Sequence, residues 1–297
     1  MAELTGFQIQ ERGFFKKLDW NFIIPIVMLH VIGILNLYSA THGVGAIQTD
    51  RLFLSQAFWL FSGWTVFFIV TVVDYQFFIR LAYVIYGLNL LALVAVIFVG
   101  KVALGAQRWL DFGFFSYQPS ETMKLALILV MAKVLAQKSF PSGMGMKDLA
   151  VPLLVLVGVP FIITAEQPDL GTAMMLFVIG ASILLFVEIR KAILVGLTGV
   201  LILGATGGWF FGLRDYQKHR IYTFLDPNRD PRGKGYNSIQ SKIAVGSGQI
   251  SGKGFRKGTQ SQLEFLPERH TDFIFSVLSE EFGFLGSMFT LSLFGLM

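Results

Sequence analysis

Long apolar stretches separated by short polar links run through most of the chain. Crossing about 30 Å of hydrocarbon takes roughly 20 apolar residues in a helix. Stretches of that order lie at 22–40, 54–73, 79–99, 121–137, 150–165, 171–187, 192–213 and 273–297. The pattern predicts an all-α, polytopic integral membrane protein with eight transmembrane helices in this chain. The fourth and fifth stretches are short, and Pro152 and Pro160 interrupt the fifth. Between the seventh and eighth, residues 214–272 are polar and predict a long loop within what is otherwise a single membrane domain, 1–297. Lys16 and Lys17 precede a first stretch longer than the apolar region of a cleaved secretory signal, so it reads as an uncleaved signal anchor.

Composition supports that class. Hydrophobic residues make up 54% of the 297 and charged residues 14%, a balance that excludes an ordinary soluble domain. The absence of cysteine excludes a disulfide framework, a thiolate metal site and a thiol nucleophile.

Charge then orients the spans, because Lys and Arg in short loops resist translocation. Arg12, Lys16, Lys17, Arg80, Lys133, Lys138, Lys147, Arg190 and Lys191 fall on one side, against Arg51, Lys101 and Arg108 on the other. That bias predicts a cytoplasmic N-terminus and an extracytoplasmic loop at 214–272. The loop carries eleven Lys/Arg against six Asp/Glu, an excess of five that equals the net charge of the whole chain. An anionic partner outside the membrane and plain attraction to anionic headgroups both fit this excess.

Four outward features could carry chemistry. Residues 263–275, LEFLPERHTDFIF, press Glu264, Glu268, Arg269, His270 and Asp272 against the last apolar stretch. In the link after the third, Arg108 can fork onto phosphate oxygens and Trp109 suits the headgroup region, where Trp also serves as a plain anchor. Gln118-Pro119-Ser120-Glu121 opens the fourth, with Lys124 at i+3 from Glu121 and so on the same helix face. An ionisable residue about one turn inside the membrane is a functional candidate, although a Lys near a helix end also snorkels to the interface. Gln167-Pro168-Asp169 opens the sixth in an equivalent position. Two helix N-termini converging there would cradle a diphosphate, while the plainer reading is capping by Ser120 and Asp169.

Other motifs carry less. GSGQISGKG (246–254) lacks the first Gly and the Ser/Thr of a phosphate-binding loop. His30, His42, His219 and His270 show no zinc spacing, and His30 reads as a buried polar group. Arg214, Asp215, Lys218, His219 and Arg220 read equally as a surface anchor or a phosphate patch.

Six ordered blocks, GAQRWLDFG (105–113), QPSETMK (118–124), AEQPDLGT (165–172), DYQKHR (215–220), IQSKIAVGSGQISGKG (239–254) and LEFLPERHTDFIF (263–275), resemble the SEDS family of bacterial envelope proteins. The ERHTDFIF form and short N-terminal tail are more similar to its elongation branch, RodA, than to its division branch, FtsW. The resemblance implies a peptidoglycan glycosyltransferase of the bacterial cytoplasmic (inner) membrane, polymerising lipid II with inversion and release of undecaprenyl diphosphate. It implies Asp272 as the critical acid, and Lys124, Glu121, Arg108, Trp109 and Glu264 in substrate binding or activity. Glu268, Arg269, His270 and Arg220 would support them. Implied partners are a class B penicillin-binding protein and other elongation-complex membrane proteins, with no nucleic acid and no organic cofactor.

The chemistry agrees with that implication. Lys124 and Arg108 beside helix N-termini can stabilise a diphosphate leaving group. Asp272 can take the proton of an acceptor hydroxyl or hold a divalent ion, Mg2+ or Mn2+, that polarises it. The family has ten spans, so ending at Met297 after the eighth leads to the expectation that the chain is truncated at its C-terminus. A transporter flipping the same lipid-linked precursor and a non-catalytic scaffold of the cell-wall complex stay open here. A transporter should hold its charges near the midplane, whereas these cluster at the outer edge.

Overall fold

All eight apolar stretches are helical in the computed structural model, which describes residues 18–42, 49–103, 106–113, 115–137, 140, 143–213, 215–229, 233–263, 265–266 and 268–297. In chain order the helices are α1 (Trp20–Thr41), α2 (Thr49–Val72), α3 (Tyr75–Val99), α4 (Pro119–Ala136), α5 (Met146–Glu166), α6 (Leu170–Leu185), α7 (Lys191–Gly207), α8 (Asp215–Leu225), α9 (Lys234–Ser247), α10 (Thr259–Gln262) and α11 (Ile274–Leu296). Among the described residues, six helical segments are long and apolar enough to cross a membrane: Trp20–Thr41, Arg51–Val72, Tyr75–Val99, Met146–Glu166, Lys191–Phe210 and Ile274–Leu296. The fourth and sixth stretches form helices outside that set. α4 carries Glu121, Lys124 and Lys133 in its 18 residues, and α6 has only 16.

Local chemistry explains where these helices start. Asp19 caps α1 by accepting from the Asn21 N–H at 3.0 Å, and Asp74 caps α3 by accepting from the Gln76 N–H at 2.8 Å. Pro152 and Pro160 do not end α5. Its residues Val151–Gly158 take the wider π geometry, which accommodates the Pro152 ring, lacking an N–H and crowding the carbonyl one turn back, and Pro160 lies at the start of the regular turn that follows.

The fold is mostly helical, as expected, with one small sheet that the hydrophobic pattern did not predict. The link after α3 is an antiparallel meander of β1 (Lys101–Ala103), β2 (Ala106–Asp111) and β3 (Ser116–Tyr117). Lys101 lies opposite Trp109, and Leu110 opposite Tyr117. A salt bridge of 2.7 Å from Lys101 Nζ to Asp111 Oδ2 clips β1 to β2. The hydrogen bond from Lys101, with a second from the Gly113 N–H at 3.0 Å, holds the Asp111 carboxyl below the usual carboxylate range.

The chain divides into two compact units, Met1–Val66 with Leu213–Met297, and Phe67–Gly212, the boundary falling within α2. In the second unit α3, α4, α5 and α6 enclose a core that includes Leu93, Met123, Leu127, Met131, Val157 and Leu176. In the first, α11 packs on α1 and α9. α11 is broken at Gly283, whose φ of 65° and ψ of −161° lie outside helical geometry. The glycine-rich segment after α9 fills the break. Its backbone makes four hydrogen bonds there: Lys253 N–H to Glu280 O at 3.0 Å, Gly254 N–H to Glu281 O at 2.9 Å, Phe284 N–H to Gln249 O at 2.8 Å and Leu285 N–H to Ile250 O at 3.1 Å.

Candidate functional site

In the second unit the two Gln-Pro segments meet. Gln118 is the N-cap of α4, with Pro119 at its first position, and Asp169 is the N-cap of α6. The Gln118 amide donates to Asp169 Oδ2 at 3.4 Å, so two helix N-termini share one carboxylate. Asp169 is buried. It also accepts from the Thr172 hydroxyl at 2.9 Å and lies 3.6 Å from Arg108 Nε. Arg108 donates through a terminal nitrogen to the Pro168 carbonyl at 2.5 Å. Asp169 therefore caps its helix as the sequence predicts and is also the hub of this end of the unit. Ser120 does not cap: it sits inside α4, and its hydroxyl accepts from the Gln118 amide at 3.1 Å. The two Gln-Pro pairs differ in use, because the Gln167 amide turns inward to the Leu93 carbonyl at 2.8 Å.

Lys124 pairs with Glu121 at 2.8 Å on the α4 face that their spacing predicts. The first turn of α4 is fixed from behind, where Asn89 Oδ1 accepts from Thr122 at 2.5 Å and from Tyr117 at 3.2 Å. Arg108 and Trp109 are neighbours in β2, and successive strand side chains point to opposite faces. Trp109 is exposed and Arg108 half-buried. The two do not line one surface. This end thus offers two helix N-termini, a guanidinium and an ammonium, a set suited to a phosphorylated group.

In the first unit Asp272 lies in the turn leading into α11. The turn closes over one carbonyl, with Thr271 N–H at 3.1 Å and Phe273 N–H at 3.3 Å both donating to Glu268 O. Asp272 is exposed, and no described residue holds its carboxylate. Glu268 is exposed, accepts from the Thr271 hydroxyl at 3.3 Å and lies 4.0 Å from His270 Nε2, an ion pair when that imidazole is protonated. Arg269 donates through Nε to the Ala40 carbonyl at 2.8 Å. Glu264 and the Arg220 side chain lie outside the described residues; the Arg220 backbone belongs to α8. Among the described residues no three carboxylate or imidazole groups gather as a metal site.

A buried acid pair was not anticipated from the sequence. Glu280 is fully buried, and its Oε1 accepts from Lys253 Nζ at 2.7 Å, the Gln260 N–H at 3.0 Å and the Thr259 hydroxyl at 3.2 Å. Glu281, 1% exposed, accepts from the Ser39 hydroxyl of α1 at 2.5 Å. The available signal was a Glu-Glu pair inside an apolar run, where each charge requires a partner.

The family model described as a cell cycle protein of the FtsW, RodA and SpoVE group matches residues 19–297. Curated relatives include the peptidoglycan glycosyltransferase MrdB of Escherichia coli K12, 45% identical over 211 residues that cover 71% of this chain and 56% of the relative. The chain thus spans little more than half of that relative's length. The stage V sporulation protein E of Bacillus subtilis is 38% identical, covering 94% of this chain and 76% of the relative. Among solved structures, a peptidoglycan synthase complex described as coordinating polymerization and crosslinking superposes with a TM-score of 0.70 at 30% identity, covering 94% of this chain and 76% of that one. The rod shape determining protein RodA of Thermus thermophilus superposes with a TM-score of 0.62 at 26% identity, covering 94% and 72%.

Proposed function

The chain belongs to the FtsW/RodA/SpoVE family, and from that premise we propose that the protein polymerises lipid II into glycan strands. The observation that carries the reading is the convergence of two helix N-termini beside Arg108. Backbone N–H groups and dipole ends aimed at one place favour an anion, and the lipid-linked donor presents a diphosphate. The peptidoglycan glycosyltransferases among its relatives support the same chemistry.

In this reading the acceptor sugar's 4-hydroxyl attacks the anomeric carbon of the α-linked donor. The bond from that carbon to the phosphate oxygen breaks, its electron pair leaves with undecaprenyl diphosphate, and the new linkage is β. Asp272 takes the hydroxyl proton as general base. Lys124 and Arg108 stabilise the charge developing on the leaving group, Arg108 by exchanging its Asp169 and Pro168 partners for phosphate oxygens. Glu121 holds Lys124 in place, Trp109 seats the edge of the sheet at the headgroups, and Glu264 completes the acceptor side with Glu268, His270 and Arg220 in support. A divalent ion, where one takes part, would be held by Asp272 and would polarise the acceptor hydroxyl.

The proposed setting is the bacterial inner membrane, crossed eight times by one membrane domain in this chain. The N-terminus is cytoplasmic, and residues 214–272 and the site face outward. The solved synthase complex supports a crosslinking partner, for which a class B penicillin-binding protein of the elongation machinery is the proposed occupant. Incubating the purified full-length protein and that partner with lipid II in detergent tests the activity. Glycan chains are the expected product. Unconsumed lipid II would defeat the polymerase reading, and precursor moved across vesicle membranes without polymer would mark a transporter.

A further inference from the structure

α1 ends in a buried polar patch to which the outer loop is tied at several points. The carbonyls at its C-terminal end face the segment 249–272. Arg256 donates to His42 O at 2.9 Å, Gln262 to Ser39 O at 3.4 Å and Arg269 to Ala40 O at 2.8 Å. These groups complete the orphan carbonyls of a helix C-terminus, and the two guanidinium groups complement its negative dipole end. A further tie runs the other way. Asn36 of α1 donates its amide to the Ile274 carbonyl at 2.9 Å.

The positions of these ties along the loop matter. Arg269 precedes Asp272 by three residues and Ile274 follows it by two, so the turn bearing the acid is fastened on both sides. Both fastenings reach the last turns of α1, one through the Asn36 side chain and one at the Ala40 carbonyl. Asn36 is 4% exposed within an apolar helix, where a polar side chain is costly unless paired. Among the described residues its Oδ1 finds no partner. A purely packing role would be served at lower cost by Leu. What the amide supplies is an N–H to the Ile274 carbonyl, on the far side of the turn.

We propose that Asn36 is a positioning residue for Asp272, holding the start of α11 against α1 so that the carboxylate stays within reach of the acceptor hydroxyl. The inference rests on the polymerase reading for its catalytic consequence and on the hydrogen-bond pattern alone for its structural one. A displacement near 1 Å at a reacting group costs on the order of 10²-fold in rate. Asn36→Leu is therefore expected to lower kcat about 10- to 100-fold, with KM for the lipid-linked donor unchanged, because the groups that bind diphosphate lie in another unit of the chain.

The chain has no cysteine, so a nitroxide can be attached at one chosen position. Labels at Asp272→Cys and, separately, at Lys257→Cys are compared with and without Asn36→Leu in the full-length protein. Label 272 should be immobilised with Asn36 present and loosened by Asn36→Leu, while label 257, in a part of the loop tied by Arg256, keeps its mobility. Unchanged mobility at 272 overturns the proposal, as does equal loosening at both sites, which would mean general loss of packing. If the protein with Asn36 in place makes no polymer, the polymerase reading falls, and the spin labels still decide the role of Asn36.

Discussion

A carboxylate that accepts a proton from an attacking hydroxyl has to be reachable and unneutralised, and the acids around the start of α11 divide on that criterion. Asp272 is exposed and held by no described residue, whereas Glu280 and Glu281 are buried, with donors from Lys253 and Ser39. Asp272→Asn keeps the shape and removes the charge, so turnover should fall by roughly 10² to 10⁴ while lipid-linked donor still binds. Polymerisation at the unaltered rate by that variant would move the role to Glu264. Chelator separates base from ligand: a metal-holding Asp272 loses activity with EDTA, and a simple base keeps it. Lys124 is tested on a different axis. Its pair with Glu121 is partly exposed, and such pairs are worth about 0–1 kcal/mol, so Lys124→Met should barely move the melting temperature. Polymerisation should nonetheless drop by about 10²-fold or more if the ammonium meets a diphosphate in the transition state. Equal losses of stability and activity would reduce Lys124 to a structural anchor.

At the scale of elements, the docking of the glycine-rich segment into the break of α11 explains a motif whose sequence only excluded a nucleotide loop. Gly252 has a φ of 79°, and a Cβ there would meet the Glu281 carbonyl carbon and the Phe282 nitrogen, the latter at 2.6 Å. Gly252→Ala should therefore cost about 1–3 kcal/mol from backbone strain, read as a lowered melting temperature in detergent. An unchanged melting temperature would show that the segment does not depend on this close approach. The contrast with what sequence can reveal is physical. Hydrophobic length located the eight apolar helices, and i,i+3 spacing placed Lys124 beside Glu121, because both follow from geometry within one element. Hydrophobic length missed α8, α9 and α10, polar helices inside the segment 214–272 that reads as a loop in the sequence. The sheet after α3 escaped that reading, since its strands are short and its pairing is set by Lys101 and Asp111 across a turn. The bonds from Asn36 to Ile274 and from Lys253 to Glu280 escaped it too, joining residues 238 and 27 positions apart that no local pattern relates. Pro152 and Pro160 left the ends of their stretch open for the converse reason: a local breaker, Pro152, is absorbed by a wider turn inside a packed helix.

Across the whole molecule, the second unit sorts its charges by end. α3 and α4 run antiparallel with the sheet joining them, which puts Arg80 and Lys133 at the end away from Gln118 and Asp169. There Lys133 donates to the Arg80 carbonyl at 2.8 Å and lies 4.6 Å from the Tyr83 ring centroid. At the same end Arg190 donates through Nε to the Gly143 carbonyl at 3.3 Å, and Met144 bridges to Ile189. The link before α5 and the link after α6 are thereby joined, bringing Lys147 and Lys191 into the same neighbourhood. Arg80, Lys133, Lys147, Arg190 and Lys191, five of the residues assigned to the cytoplasmic side by charge bias, thus share one end of a packed unit, a clustering of the kind the positive-inside rule describes. The opposite end holds Arg108 and the two convergent helix N-termini, so the proposed orientation puts the diphosphate site at the outer surface. Probes for this should avoid the strained glycines. Lys147 and Lys257 are both exposed, and each can be replaced by the chain's only cysteine. In intact cells an impermeant maleimide should label Lys257→Cys and spare Lys147→Cys, with both reacting once the cells are opened. Labelling confined to position 147 would invert the protein in the membrane. The donor site would then face the cytoplasm, where the precursor is made rather than polymerised, and the glycosyltransferase reading would give way to a transporter.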